Sequence, residues 1–344
     1  MRKVLILTNK EDVHAKRVTE ELIKRKALPI NWFPDEFLVN QRIVQKITPN
    51  AAHYIVINEK KVIDLMDINV VWYRRVSTPV LPKNLSRLDH KFIQKENRIF
   101  MKSLWLTLSE SSRWVNPFSS LDQSNSKISQ LRLANSLGLT IPETLVTNDK
   151  NEIINFINEN LQDGTIYKTF SPAMWEENNE IFSCYTTVIT TDMLSSEANM
   201  ALTPGIYQKY VKKSFEVRVT FIGNEYIAIK IHNSENLDWR ILASTSNFKI
   251  SPIVIPPEIE QKCIALMNKL NIVFGCFDFI VTPMGEYIFL EVNEMGQFLW
   301  IEEILPELKL LDKFCEFLIS SGANTSIKNS NVQSLSLKEI EAST

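Results

Sequence analysis

The chain has 344 residues, 44% of them hydrophobic and 23% charged, and its 38 basic against 40 acidic side chains leave a formal charge of −2. That length supports two or three domains with cores of their own, and the near-neutral balance excludes a global basic field that would recruit nucleic acid or an acidic membrane surface. The 8 glycines form neither GxGxxG nor GxxxxGK[ST], and the 4 histidines show no metal-ligand spacing, which argues against a dinucleotide fold, a Walker-type phosphate loop and a zinc hydrolase.

Cys184, Cys263, Cys276 and Cys315 lack CxxC spacing and read as reduced core thiols of a cytoplasmic protein. The apolar run in the opening MRKVLILTNKED is too short for a signal peptide. The longest apolar stretch, 272–281, is interrupted by Asp278 and falls short of a membrane span.

In chain order, residues 3–8 (KVLILT) predict a buried strand, followed by a helix to about residue 26 and a second strand near 29–33. This βαβ opening predicts a parallel sheet. Residues 54–57 and 61–65 flank Asn58-Glu59-Lys60 and predict a hairpin. An apolar strand over 69–73 ends in Arg74-Arg75. From 85 to 113, Leu88, Phe92, Ile99, Leu104 and Leu108 recur near helical spacing and predict one or two long helices.

The Ser-, Asn- and Pro-rich stretch 114–126 marks a domain boundary. A helix over 127–137 is stopped by Gly138, and 150–160 reads as another helix. Residues 165–170, 181–190 and 205–211 read as strands, with a polar loop at 175–180. Further on, 215–221, 226–232, 274–281 and 287–293 alternate apolar and polar residues as strands do, with helices near 258–270 and 306–320. The expected division is an N-terminal domain 1–115, a central domain 116–205, a C-terminal domain 206–322 and a loose tail 323–344, in an α/β (α+β) fold.

Two hairpins concentrate charge. If Phe215, Val217, Val219 and Phe221 share a face with Ile227, Ile229 and Ile231, the connection must be odd and centred on Asn224, which sets Arg218 opposite Lys230. Like charges facing each other favour an anion above them, although a solvated face would let the side chains splay. In the second hairpin, Phe277, Phe279 and Val281 share a face with Ile288, Leu290 and Val292, so Asp278 faces Glu291 with Asn293 two residues further on. Two carboxylates and an amide oxygen on one surface suit a hard divalent cation. A cation site beside an anion site is what a magnesium nucleotide requires.

At these residues the chain resembles the ATP-grasp superfamily. The stretches 277–280 (FDFI) and 289–293 (FLEVN) resemble that family's metal-binding D…ExN signature, which implies that Asp278, Glu291 and Asn293 hold magnesium. Lys127 and Lys168 resemble the two nucleotide lysines. The stretch 206–211 (IYQKYV) resembles the hinge strand that reads adenine, bringing in Gln208, Lys209, Tyr210 and Val211; Glu216 matches the acceptor for the ribose hydroxyls. Arg218, Lys230 and Arg240 match basic positions around the γ-phosphate and the acyl phosphate, and are the expected catalytic residues. The stretch 171–179 departs from the pattern, since the family often carries a glycine-rich loop there and this one holds no glycine.

Within the superfamily, 71–75 (VWYRR), 114–117 (WVNP) and 238–240 (DWR) resemble the ligases that make microviridins and related graspetides. The resemblance implies an N-terminal pre-ATP-grasp domain, ATP and Mg2+ as cofactors, and a precursor peptide as partner. That peptide would carry a leader segment and a core of acidic plus Ser, Thr or Lys residues, to be closed into side-chain ester or amide rings. Such folds are often homodimers. A ligase adding free amino acids, a nucleotide-binding regulatory protein and a phosphotransferase stopping at a phosphorylated product are the alternatives.

Overall fold

The computed structural model describes residues 1–36, 41–48, 51–58, 61–170, 173–177, 180–184, 186–233, 237, 239 and 248–320. The βαβ opening takes the expected form. Strand Lys3–Leu7 pairs in parallel with Leu28–Trp32 and Val70–Tyr73, and the latter in turn with Arg113–Val115. The intervening helix Val13–Lys24 starts where the Asp12 carboxylate accepts from the amides of His14 and Ala15. The two inner strands, Lys3–Leu7 and Val70–Tyr73, are buried on both faces and so read as continuous apolar runs. Leu5, Leu7 and Val71 pack with Leu104, Trp105 and Leu108 of a single helix, Arg87–Ser111. Val4, Ile6 and Trp72 pack with Val18 and Leu22 and with Phe314 and Leu318 of the last helix, Leu310–Ile319. Of the apolar residues that announced the long helix, Leu104 and Leu108 are buried, whereas Leu88, Phe92 and Ile99 stand exposed.

The hairpin Ala51–Asn58 with Lys61–Asp64 forms as expected and gains a third strand, Gln41–Thr48, whose mixed polarity gave no strand signal. A four-stranded antiparallel sheet follows, in the order Thr187–Ile189, Thr165–Lys168, Gly205–Lys209, Thr144–Thr147. The helix Lys150–Glu159 packs on it through Ile153, Phe156 and Ile157. Of the polar stretch expected as a loop at 175–180, residues 175–177 and 180 belong instead to the paired strands Ala173–Glu177 and Glu180–Cys184, while 178–179 lie outside the described residues. The expected strand 181–190 is divided between Glu180–Cys184 and Thr187–Ile189.

The largest sheet is antiparallel and five-stranded, in the order Ile250–Pro252, Glu225–Ile231, Phe215–Ile222, Phe274–Val281, Tyr287–Asn293. Both its faces are buried. On one side Val217, Val219, Phe277 and Phe279 meet Leu131 of helix Lys127–Ser136 and Leu266 of helix Pro257–Leu270. On the other, Ile222, Ile229, Ile231 and Phe274 join the core that runs through Phe314 to the first sheet. One apolar core therefore ties the two ends of the chain together. Cys263, Cys276 and Cys315 are buried free thiols, as expected, and the Cys184 side chain lies outside the described residues. Among the described residues no helix is long and apolar enough to cross a membrane.

Phe314 is fully buried, with ring centroids 4.9, 5.2 and 5.0 Å from Trp72, Phe274 and Phe298. These partners come from the first sheet, the largest sheet and the loop after it, so a cavity here is felt by all three. Phe314→Ala is expected to cost about 3–5 kcal/mol, read as a lowered urea midpoint.

Candidate functional site

The register of the largest sheet decides which charged groups meet. The first hairpin closes through a two-residue turn, Gly223-Asn224, flanked by the pair Ile222–Glu225, with Gly223 at φ +62°. A glycine with positive φ at the first turn position is the signature of a tight hairpin turn, so the odd connection expected from parity does not form. One residue of slip exchanges the faces of the second strand. Lys230 therefore lies opposite Val217, not Arg218, and its ammonium sits 4.1 Å from the Phe215 ring centroid. The expected Arg218–Lys230 confrontation is thereby corrected: both faces of this sheet are apolar-lined, so alternation did not distinguish them.

What faces Arg218 is a carboxylate. In the neighbouring pairing Arg218 lies directly across from Asp278, and its Nη1 donates to both Asp278 oxygens at 2.8 and 3.0 Å. Burial alone pulls the Arg218 pKa down, and the Asp278 carboxylate more than offsets it, so the guanidinium stays charged. Its Nη2 donates to the Gln297 carbonyl at 3.1 Å.

In the second hairpin Asp278 does face Glu291, and Cys276 faces Asn293. A register shift between Asp278 and Phe279 leaves Leu290 without an opposite number and turns Phe289 into the core with Phe277 and Phe279, while Leu290 stays half-buried. Asp278 is nearly buried, Glu291 half-buried and Asn293 exposed. Among the described residues no group of three His, Cys, Asp or Glu converges, so a cation here would take two carboxylates and the Asn293 amide. That donor set fits a hard ion by its chemistry, two carboxylates and an amide oxygen, with Asp278 also accepting from Arg218.

Other predicted residues gather around this hairpin to different degrees. Lys127 opens its helix, behind the Ser126 cap, and its Nζ donates to the Thr169 carbonyl at 2.9 Å, one residue past Lys168. Lys168 ends the strand Thr165–Lys168 and pairs with Ile206. Gln208 is buried; its amide nitrogen donates to Thr144 Oγ1 at 3.0 Å while its Oε1 has no hydrogen-bond partner. The backbone N–H groups of Lys209 and Tyr210 are engaged by the carbonyls of Glu143 and Gly164, and the Lys209 ammonium pairs with Asp163 at 2.9 Å. Val211 follows as a half-buried residue. Glu216 is buried, and its Oε1 accepts from Lys213 Nζ at 2.6 Å and Asn233 Nδ2 at 2.8 Å. Burial raises the Glu216 pKa, and Lys213 offsets part of that. Arg240 lies outside the described residues.

Several functional contacts escaped the sequence reading. The Gln130 side chain donates to the Val292 carbonyl at 2.8 Å and accepts from its N–H at 2.9 Å, pinning the residue between Glu291 and Asn293. Gln130 lies three residues after Lys127, on the same helix face, which is the one signal that pointed to it. Lys213 stands three residues before Glu216, an opposite-charge spacing that could have been noticed. Glu294 is buried with one oxygen lacking a partner, and burial, reinforced by Glu291, pushes its pKa up to about 7.

Residues 3–122 match the family model described as MvdD pre-ATP grasp domain. No curated protein matches the sequence. Among solved structures, macrocyclase MdnC from Microcystis aeruginosa MRC, bound with precursor peptide MdnA, superposes with a TM-score of 0.82 at 25% identity, over 93% of this chain and 100% of that one. Macrocyclase MdnB from the same organism gives 0.79 at 27% identity, over 93% and 99%. A Chryseobacterium gregarium RiPP-associated ATP-grasp ligase, in complex with ADP and a leader and core peptide, gives 0.84 at 24%, over 95% and 100%; at that identity the likeness is one of fold.

Two outcomes test the site's packing. A Cβ on Gly296 would lie 2.6 Å from Cys276 Sγ and 3.1 Å from Arg218 Nη2, so Gly296→Ala is expected to lower the thermal midpoint by several degrees as the guanidinium is displaced. His14, packed edge-on to Phe298, has its pKa lowered to about 3 by burial and by Arg74. It folds neutral, so its contribution is complete above pH 6.5 and is lost as pH falls toward 3. From pH 6.5 to 5.5 that loss is about 1–1.4 kcal/mol, and a His14→Phe variant should lack it in urea titrations at the two pH values.

Proposed function

We infer that this chain is an ATP-grasp ligase of the graspetide type, since its N-terminal segment matches the MvdD pre-ATP-grasp model and nearly its whole length shares the fold of peptide macrocyclases. It activates carboxylates with ATP and closes side-chain rings in a ribosomal precursor peptide. The observation that carries the reading at residue level is the Asp278–Glu291 pair on one hairpin face, backed by the buried Arg218 and fixed through Val292 by Gln130.

On this reading Asp278, Glu291 and Asn293 hold magnesium, which supplies charge neutralisation at the terminal phosphates. Lys127 and Lys168, brought to adjoining positions at Thr169, flank the nucleotide, with 208–211 along the adenine edge. Two adjustments follow from the packing. Glu216 reaches ribose hydroxyls only by sharing its carboxylate with Lys213 and Asn233. Lys209 is left its backbone carbonyl, since its ammonium is paired with Asp163 and its N–H with the Glu143 carbonyl. Lys230 lies on the opposite face of the sheet to Arg218, and the buried Arg218 guanidinium is committed to Asp278 and Gln297. Arg218 therefore holds Asp278 in place, and Arg240 is left to grip substrate carboxylate and phosphoryl oxygens, a task suited to a guanidinium fork.

The chemistry is two displacements. An Asp or Glu oxygen of the peptide attacks the γ-phosphorus and releases ADP; a Ser or Thr hydroxyl or a Lys amine of the same peptide then attacks the acyl phosphate, loses its proton and releases phosphate. Each ring removes one water from the peptide. The chain, ATP, Mg2+ and a peptide with leader and acidic plus Ser, Thr or Lys core should give that mass loss with ADP release in step. Glu291→Gln and Lys127→Ala should each slow it about a hundredfold or more. A gain of amino-acid residue mass on the peptide would replace ring closure by addition, and a stable added phosphate would make the chain a phosphotransferase.

A further inference from the structure

Directly after Asn293 the backbone runs through 294–297 before the short helix Leu299–Ile304, and the carbonyl of each of those four residues is held by a buried side chain. Asn116 Nδ2 donates to the Glu294 carbonyl at 2.9 Å. Arg74 Nη1 donates to the Met295 carbonyl and, at 3.3 Å, to the Gly296 carbonyl. Arg218 Nη2 donates to Gln297. Arg218 belongs to the sheet that carries the loop, but Arg74 and Asn116 do not: they lie at the ends of the parallel strands Val70–Tyr73 and Arg113–Val115 of the first sheet.

Both are anchored. Arg74 is 1% exposed and its Nε lies 3.2 Å from the Asp12 carboxylate, which also caps the first helix and accepts from Thr8 Oγ1 at 2.9 Å. Asn116 accepts through Oδ1 from the N–H groups of Val273 and Phe274, at 2.7 and 2.8 Å, where the Asp278 strand begins. The first sheet thus grips the metal hairpin at both of its outer ends.

We propose that Arg74 is a positioning residue, through which the N-terminal sheet sets the 294–297 loop and so holds Glu291 and Asn293 where magnesium nucleotide is bound. This rests on the ligase reading above. A guanidinium suits the task because one nitrogen can serve two successive carbonyls while a second faces Asp12; an ammonium of Lys length has no second nitrogen to divide between them. Placement errors near 1 Å cost about a hundredfold in rate in such sites.

The test uses the full chain and Mg·ADP as probe, by calorimetric titration well below the thermal midpoint, with folding checked by circular dichroism. Arg74→Met is expected to bind Mg·ADP about tenfold more weakly, to need more Mg2+ for half-maximal ring closure, and to lose about a hundredfold in kcat with little change in peptide KM. Arg74→Lys should fall between. A folded Arg74→Met with wild-type Mg·ADP affinity and Mg2+ midpoint overturns the inference while leaving the ligase reading intact. A wild-type chain that does not bind Mg·ADP overturns both. Should Arg74→Met fail to fold, Asp12→Asn, which keeps the guanidinium but loosens its hold, must shift the Mg2+ midpoint the same way, and an unchanged midpoint overturns the proposal.

Discussion

A guanidinium buried in the middle of a β-sheet cannot shed its charge, so the Arg218–Asp278 pair constrains everything around it. Moving either strand by one residue would strand one ion in an apolar core, at a cost far above that of any single hydrophobic contact. The pair therefore fixes the register between Phe215–Ile222 and Phe274–Val281, and through it the position of Asp278 against Glu291. It also explains Gly296. The loop passes so close to the Arg218 head group and Cys276 that no Cβ fits between them.

The rest of the molecule is arranged to keep that hairpin still. Gln130 fastens it from the central helix, Asn116 from the end of the first sheet, and Arg74 from the strand beside it. Behind these polar contacts lies one apolar core in which Phe274 and Phe298 meet Phe314 and, beyond it, Trp72. Hydrogen bonds to backbone carbonyls set direction, and the aromatic packing removes the freedom to follow any other. Such rigidity serves phosphoryl chemistry, where positioned charge does most of the work.

Where one signal dominated, the sequence was readable. The βαβ opening announced itself by continuous apolar strands around an amphipathic helix, and Asp278 opposite Glu291 followed from two acids spaced about a glycine-containing turn. The first hairpin misled because its strands are apolar on both faces: parity then has two solutions, and only the two-residue Gly223-Asn224 turn selects between them. Of the paired strands Ala173–Glu177 and Glu180–Cys184 only the second was legible, because the acids Glu176 and Glu177 gave the first the look of a loop, and backbone pairing needs no apolar pattern. The contacts of Arg74, Asn116 and Gln130 with the second hairpin and the loop after it span 157 to 222 residues of chain, and no local window contains both partners.

On the proposed reading Asp278 has two duties, counter-ion to Arg218 and ligand to a cation, and the charges decide how they coexist. Arg218 counters the charge of Asp278, while Glu291 on the facing strand adds a second carboxylate and Asn293 an amide donor. A carboxylate already engaged by a guanidinium draws a divalent ion less strongly than an unengaged one. Nucleotide phosphates supply the missing anionic oxygens, so metal and nucleotide favour each other's binding by the same factor in either order. Arg218 is also held at Gln297, so the group that accompanies Asp278 is tied to the 294–297 loop. That loop is gripped from the first sheet as well, so on the proposed reading a few hydrogen bonds, from Arg74 and Asn116, join the metal hairpin to the first sheet.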